Sequence, residues 1–251
     1  MTNEDIGHIL KSWPYDPDED LIVRIIESDI GPKLQMRIDM GIIQMELDGN
    51  PIEESPEGFD SWFEYYKHLQ KKVESNNVDD FFTLSDEDCM KLRREAVHYY
   101  YRYLCLMKLE DFERVIRDTD RNCRVFAFVK RYASSEMNRW ALDQYRPYVI
   151  MMNTRARASL TIKEHPETGI EKAVIFIDSG IEGIIEFYKE YGLTSEMENS
   201  LELSILKTLK TEFLRNIPES LEDQLARAIG EERFEDAAEL RDIIQSKHKK
   251  N

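Results

Sequence analysis

The spacing of apolar residues changes period once along this chain, near residue 57, and that switch limits the fold more than any other feature. Before it, Leu21, Val23 and Ile25 alternate with polar neighbours. After the turn sequence SDIGP, Leu34, Met36, Ile38 and Met40 alternate with Gln35, Arg37 and Asp39. Past Gly41 the alternation resumes one step out of phase on Ile43, Met45 and Leu47, and DGNP closes the unit. A period of two over short runs is the pattern of a half-buried strand. The phase slip at Gly41 calls for a tight turn or a bulge, both natural places for glycine. The expectation is an antiparallel β unit of two or three strands over residues 21–57, preceded by an irregular lead-in over 1–20. Two or three strands cannot stand alone. Met36, Ile38, Met45 and Leu47 should therefore face helices, and Arg37, Asp39 and Glu46 should face solvent.

After the switch the period is helical. Phe59, Trp62, Phe63, Tyr66 and Leu69 share one face, ending near SNNVDD. Ser85 followed by Asp86, Glu87 and Asp88 is a helix start, because the hydroxyl caps free N–H groups and the acids favour the positive end of the dipole. That helix runs through Tyr103 and Leu106 to a break near Leu109. Another carries Phe112, Val115, Ile116, Val125, Phe126 and Val129. Residues 140–163 are expected as one helix with Pro147 near a start or kink, and 170–191 as the next, stopped by Gly192. Residues 201–214 form one more. The whole reads as α+β, predominantly α: a small N-terminal sheet on a helical bundle (58–216), with a separate segment over 217–251. Residues 106–119 and 169–180 resemble tetratricopeptide helix pairs, but Phe112 and Ile170 are too far apart for that repeat.

The chain has 251 residues and a formal net charge of −16. The deficit is uneven, since residues 1–84 hold 7 basic and 19 acidic side chains, whereas 85–160 hold 15 and 11. An acidic body repels a polyanion. Arg121, Arg124, Lys130, Arg131, Arg139, Arg146, Arg155 and Arg157 could still form a basic face, but pairing with nearby acids is the better expectation. The three cysteines, Cys89, Cys105 and Cys123, form no CxxC pair. They read as reduced thiols of a cytoplasmic protein, with Cys89 and Cys105 buried. No run of about 18 apolar residues suggests a membrane span. The five histidines show no zinc spacing, and no phosphate loop or nucleophile elbow occurs, so no catalytic residue, metal or cofactor is assigned. The tyrosine run Tyr99, Tyr100, Tyr101 and Tyr103, interleaved with Arg93, Arg94 and Arg102, could stack bases or hold a peptide, but a core role fits better.

The C-terminal segment carries the sharpest pattern. Residues 218–246 read PESLEDQLARAIGEERFEDAAELRDIIQS. Leu221, Leu225, Ala228 and Ile229 fall on one helix face, 230–233 make a turn, and Phe234, Ala237, Ala238, Leu240, Arg241 and Ile244 follow on a second helix. Ala237 and Ala238 would let the helices approach closely, and Phe234 would plug the open end. So short a hairpin leaves an apolar strip for another surface. The FEDAAELRDII stretch resembles the UVR motif of the UvrB and UvrC excision-repair subunits, which also occurs in regulators of Clp proteases and of protein arginine kinases. That resemblance implies a hairpin that pairs with another copy of itself, as in a homodimer, or with a partner protein. Nothing in the rest of the chain matches the helicase or nuclease centres of those subunits. The leading expectation is a bacterial, non-enzymatic protein–protein adaptor with Leu221, Leu225, Ile229, Phe234, Ala237, Ala238, Leu240, Arg241 and Ile244 at the contact. The alternative is a nucleic-acid-associated repair or stress factor using segment 85–160. Docking of the hairpin on its own body would cover the same strip.

Overall fold

A computed structural model describes residues 5–52, 56–75, 81–215 and 221–248, although the side chains of 221–223 and 246–248 lie outside the description. The chain divides into two compact units, residues 1–210 and residues 211–251.

The first unit is predominantly helical with a small antiparallel sheet at its N-terminal end. Strands β1 (Ile22–Ile26), β2 (Lys33–Ile38) and β3 (Gly41–Glu46) lie in the order β1-β2-β3. Ile38 pairs with Gly41, so the phase slip is a two-residue turn and not a bulge. Leu34, Met36, Met45 and Leu47 are buried as their alternation requires, but Ile38 ends its strand beside the turn and is 39% exposed. Arg37 departs from expectation in the opposite sense. It is buried, because the lead-in is not irregular throughout and lies on the sheet's polar face. A short helix, α1 (Gly7–Ser12), leads to Trp13, whose carbonyl accepts from Arg37 Nε at 3.0 Å. Arg24 stacks on the Trp13 ring at 4.0 Å. Under this cover the polar side chains satisfy one another: Arg24 Nε donates to Gln35 (2.9 Å), and Gln35 donates to Gln44 (2.8 Å). A buried polar row is tolerable only when its donors and acceptors are used. Asp39 is exposed and Glu46 half-buried.

Helices α2 (Trp62–Ser75), α3 (Asp86–Lys108), α4 (Phe112–Tyr132), α5 (Glu136–Asp143) and α6 (Arg146–Glu164) share one core. Phe63, Leu84, Leu92, Val125, Phe126 and Val149 lie within it. Ser85 and Asp88 cap α3 reciprocally, each side chain accepting from the other's backbone N–H. Residues 140–163 are not one helix. The chain breaks at 144–145 and restarts with Pro147 in the first turn of α6, where the missing N–H costs nothing. Helix α7 (Ile170–Glu190) packs on α6 through small residues. A Cβ built on Gly180 would lie 2.1 Å from Thr154 Oγ1, so only glycine permits this approach. Gly192 takes the left-handed conformation (φ 68°) that ends the chain's run past α7. A short α8 (Thr194–Met197), not foreseen, precedes α9 (Leu201–Arg215).

Arginines tie the sheet to the helices. Arg102 is fully buried and forks onto Asp118, with Nε–Oδ2 2.6 Å and Nη2–Oδ1 2.8 Å, while Nη1 donates to the Glu46 carbonyl at 3.1 Å. Arg114 and Arg117 both grip Asp48, just past β3. The two guanidiniums hold the Asp48 carboxyl down at about 2, with the Arg114 hydrogen bond the larger influence. Cys89 and Cys105 are buried and Cys123 half-buried; all three are unpaired. Burial pushes their thiols up to about 11, 12 and 12, which removes thiolate reactivity near neutrality. Among the described residues no helix is long and apolar enough to cross a membrane, and no group of His, Cys, Asp or Glu is placed to hold a metal ion.

Candidate functional site: the C-terminal hairpin

Within the second unit, α10 (Leu221–Gly230) and α11 (Phe234–His248) form an αα-hairpin. The turn is closed by backbone bonds characteristic of a Schellman ending: Arg233 N–H donates to Ala228 O at 2.8 Å and Glu232 N–H to Ile229 O at 3.1 Å. The left-handed residue is Glu232 (φ 56°), not the glycine two positions earlier. Arg233 lies between two acids, Glu231 (2.9 Å) and Asp236 (2.5 Å), which raise its affinity for a proton, Asp236 first.

The candidate residues separate into two groups. Ala237 is buried, as is Ala228 on the facing helix, so one small residue from each helix sits at the closed part of the hairpin. Leu225, Leu240 and Ile244 are half-buried. Phe234 does not plug the hairpin. It is the first residue of α11 and is 67% exposed. Ile229, at the other side of the turn, is 53% exposed. Ala238 and Arg241 are also exposed, so the close approach rests on Ala237 and not on the pair, and the Arg241 guanidinium turns onto Asp242 (2.8 Å). Leu221 is the first of the expected apolar positions on α10, but its side chain lies outside the described residues. The turn-end surface is therefore Ile229 and Phe234, flanked by Glu231, Arg233 and Asp236.

The first unit holds the same turn a second time. Between α3 and α4 the left-handed residue is Glu110 (φ 57°), Asp111 N–H donates to Leu106 O at 3.0 Å, and Glu110 N–H to Met107 O at 3.2 Å. The residue two past the left-handed glutamate is again a phenylalanine, Phe112, followed by a glutamate. Here the phenylalanine is half-buried, for Lys163 at the end of α6 holds its ammonium 5.6 Å from the ring centroid and donates to the Glu110 carbonyl at 3.3 Å. A helix end thus covers this turn. This duplication was present in the sequence as LEDFERV and EERFEDA, yet only the matching φ values make it plain.

The basic segment turns much of its charge onto acids. Five of the eight side chains singled out in 85–160 make ion pairs: Arg121 with Glu95, Arg139 with Glu136 (2.6 Å), Arg146 with Asp143 (2.9 Å), Arg157 with Asp120 (2.7 Å) and Lys130 with Asp143 (3.1 Å). Arg131 stacks on Tyr132 at 5.2 Å, and Arg155 lies 4.0 Å from the sulfurs of Met151 and Met152. Tyr99 and Tyr103 are buried in the core, and Arg121 covers the Tyr99 ring at 3.9 Å. Comparison of the chain with protein-family models, curated proteins and solved structures finds no match.

Proposed function

We propose that the protein is a cytoplasmic, non-enzymatic adaptor whose C-terminal hairpin pairs with another helical hairpin, from a second copy of the chain or from a partner protein. The observation that carries this reading is the twin turn: Phe112 is covered by the end of α6, while the equivalent Phe234 is 67% exposed. An exposed aromatic beside an exposed isoleucine is the kind of anchor that binding energy concentrates on. The likeness of residues 218–246 to the UVR motif supports the same reading, because that motif is a pairing hairpin. The pairing of five of those eight basic side chains with acids speaks against the nucleic-acid alternative, since phosphate contacts need free cations. Light scattering and affinity capture, comparing the full chain with one ending at residue 216, test the proposal. It requires the shorter chain to lose its association at both low and moderate salt. A monomeric full chain whose captured partners all survive the truncation would refute it.

A further inference from the structure

Three strands give the sheet two edges, and the chain treats them differently. At the β3 edge Glu46 is tied back on both sides. Its N–H donates to the Pro51 carbonyl at 2.9 Å, and its own carbonyl accepts from Arg102 at 3.1 Å. β1 forms the other edge.

Which groups that edge presents follows from the register. Ser28 and Gly31 exchange both backbone bonds, at 3.2 and 3.1 Å, and so close the β1–β2 turn as a hydrogen-bonded pair. In an antiparallel ladder such pairs recur at every second residue. Ile26 with Lys33, Arg24 with Gln35 and Ile22 with Arg37 are therefore the bonded pairs. Val23 and Ile25 turn their N–H and C=O groups the other way, and among the described residues no bond from elsewhere in the chain reaches them. Their side chains share a face with their buried partners Met36 and Leu34, yet Val23 is only half-buried and Ile25 is 44% exposed. The run IVRII holds no proline, glycine or bulge that would blunt it. Its one charge, Arg24, is turned onto Trp13 and Gln35. An edge of this kind is a template for a further strand.

Charge identifies what that strand carries. Asp16, Asp18, Glu19 and Asp20 precede β1, Glu27 and Asp29 follow it, and all six are exposed. Of these only Glu19 makes an ion pair among the described residues, with Lys108 at 3.5 Å. The other cations of the sheet are turned inward. Lys33 is buried against Glu46, and Arg37 donates to the Trp13 and Gly41 carbonyls. Lys11 is the exposed cation of the lead-in. A second copy of the chain fits this edge badly. The antiparallel register that uses all five residues, centred on Arg24, would set Glu19 of each chain against Asp29 of the other, and like charges placed opposite one another destabilise a pair.

We infer that the β1 edge takes a fourth, antiparallel strand from a different protein: an extended segment with β-branched side chains opposite Val23 and Ile25 and with Lys or Arg at both ends. Main-chain bonds hold such a segment, and the acids flanking β1 select it. The edge belongs to the first unit and is a contact separate from the hairpin.

Fluorescence anisotropy of a labelled peptide, its valines alternating with threonines between lysine pairs, titrated with the full chain, tests this. The peptide should bind, and a counterpart flanked by glutamates should bind at least about tenfold more weakly. N-methylation of the valine amides, which would pair with Val23 and Ile25, should abolish binding, whereas N-methylation of the threonine amides should not. On the protein, Ile25→Pro deletes an outward N–H and spares the β1–β2 bonds, the one setting in which a strand tolerates proline. Affinity should fall about tenfold with the far-ultraviolet dichroism unchanged. The double variant Asp20→Lys, Glu27→Lys should reverse the preference between the two peptides. Failure of the lysine peptide to bind, binding that survives methylation of the valines, or equal binding of the two peptides would overturn the inference. So would a dimer of the full chain that Ile25→Pro dissociates, which would give the edge to a second copy.

Discussion

The α3–α4 turn and the α10–α11 turn have the same backbone, and they differ in what surrounds it. Each ends a helix with a left-handed glutamate, closes it with the same pair of backbone bonds and begins the next helix near a phenylalanine. In the first, Asp111 caps α4 by accepting from Arg114 N–H, and its neighbour Arg114 reaches Asp48 beyond β3. In the second, the capping position is Arg233, which has no acceptor to offer. In the first, Lys163 covers Phe112; in the second, Phe234 stands open. A turn sequence thus sets local geometry, whereas its stability and its use depend on what the rest of the chain places over it. The body covers its phenylalanine in part; the hairpin leaves its own exposed, and that is the surface we propose for a partner.

The largest effect expected is on the body. Asp118→Ala strands the fully buried Arg102 guanidinium without its carboxylate and should cost about 4 kcal/mol, read as a large fall in the denaturant midpoint. Replacing both partners by apolar residues of similar volume should recover most of that loss. If the single substitution were tolerated within 1 kcal/mol, the sheet would not depend on Arg102 as the geometry implies.

Next come the two phenylalanines. Phe112→Ala removes a half-buried ring and its cation and should destabilise the first unit by about 2 kcal/mol. Phe234→Ala should change unfolding by no more than about 0.5 kcal/mol, because a ring two-thirds exposed has little packing to lose. It should nonetheless abolish association. Equal stability losses at both sites would erase the distinction between a turn that serves the fold and one that serves a partner.

Sequence patterns carried the helical elements well where a local signal marked their ends. Ser85 with Asp88, the break at Leu109 and Gly192 each fix a helix end by short-range chemistry. Long-range facts were not legible. Arg37 alternates as a solvent-facing residue, and only the return of Trp13 across the sheet buries it. The break at 144–145 has neither glycine nor proline at it; Pro147 just beyond marks a start or kink, but helical periodicity runs across and does not tell the two apart. At the hairpin the apolar positions were legible, but their burial was not. Phe234 has the spacing of a core residue and the same place after a turn as the half-buried Phe112, so neither spacing nor position announces its exposure.

Two smaller effects sharpen the comparison. Glu110→Gly and Glu232→Gly relieve the same left-handed strain and should stabilise their turns by a similar small amount, about 0.5 kcal/mol. A gain at one site only would mean that the turns are not equivalent. Asp48 gives the smallest. Its carboxyl is held at about 2, below its ordinary 3.8, so its contribution is complete above pH 3.8 and disappears as pH falls through about 2. Asp48→Asn should flatten the acid limb of the stability curve in that window and leave neutral-pH behaviour of the hairpin unchanged.

The most direct test of the difference between the turns is site-specific photo-crosslinking with p-benzoylphenylalanine placed at position 112 or at position 234 of the full chain. At 112 the photoproduct should be intramolecular and map to α6 near Lys163. At 234 it should be intermolecular, joining the hairpin to a second hairpin. Crosslinks from 234 confined to residues 1–210 of the same molecule would contradict this, and would make the hairpin a cap on its own fold.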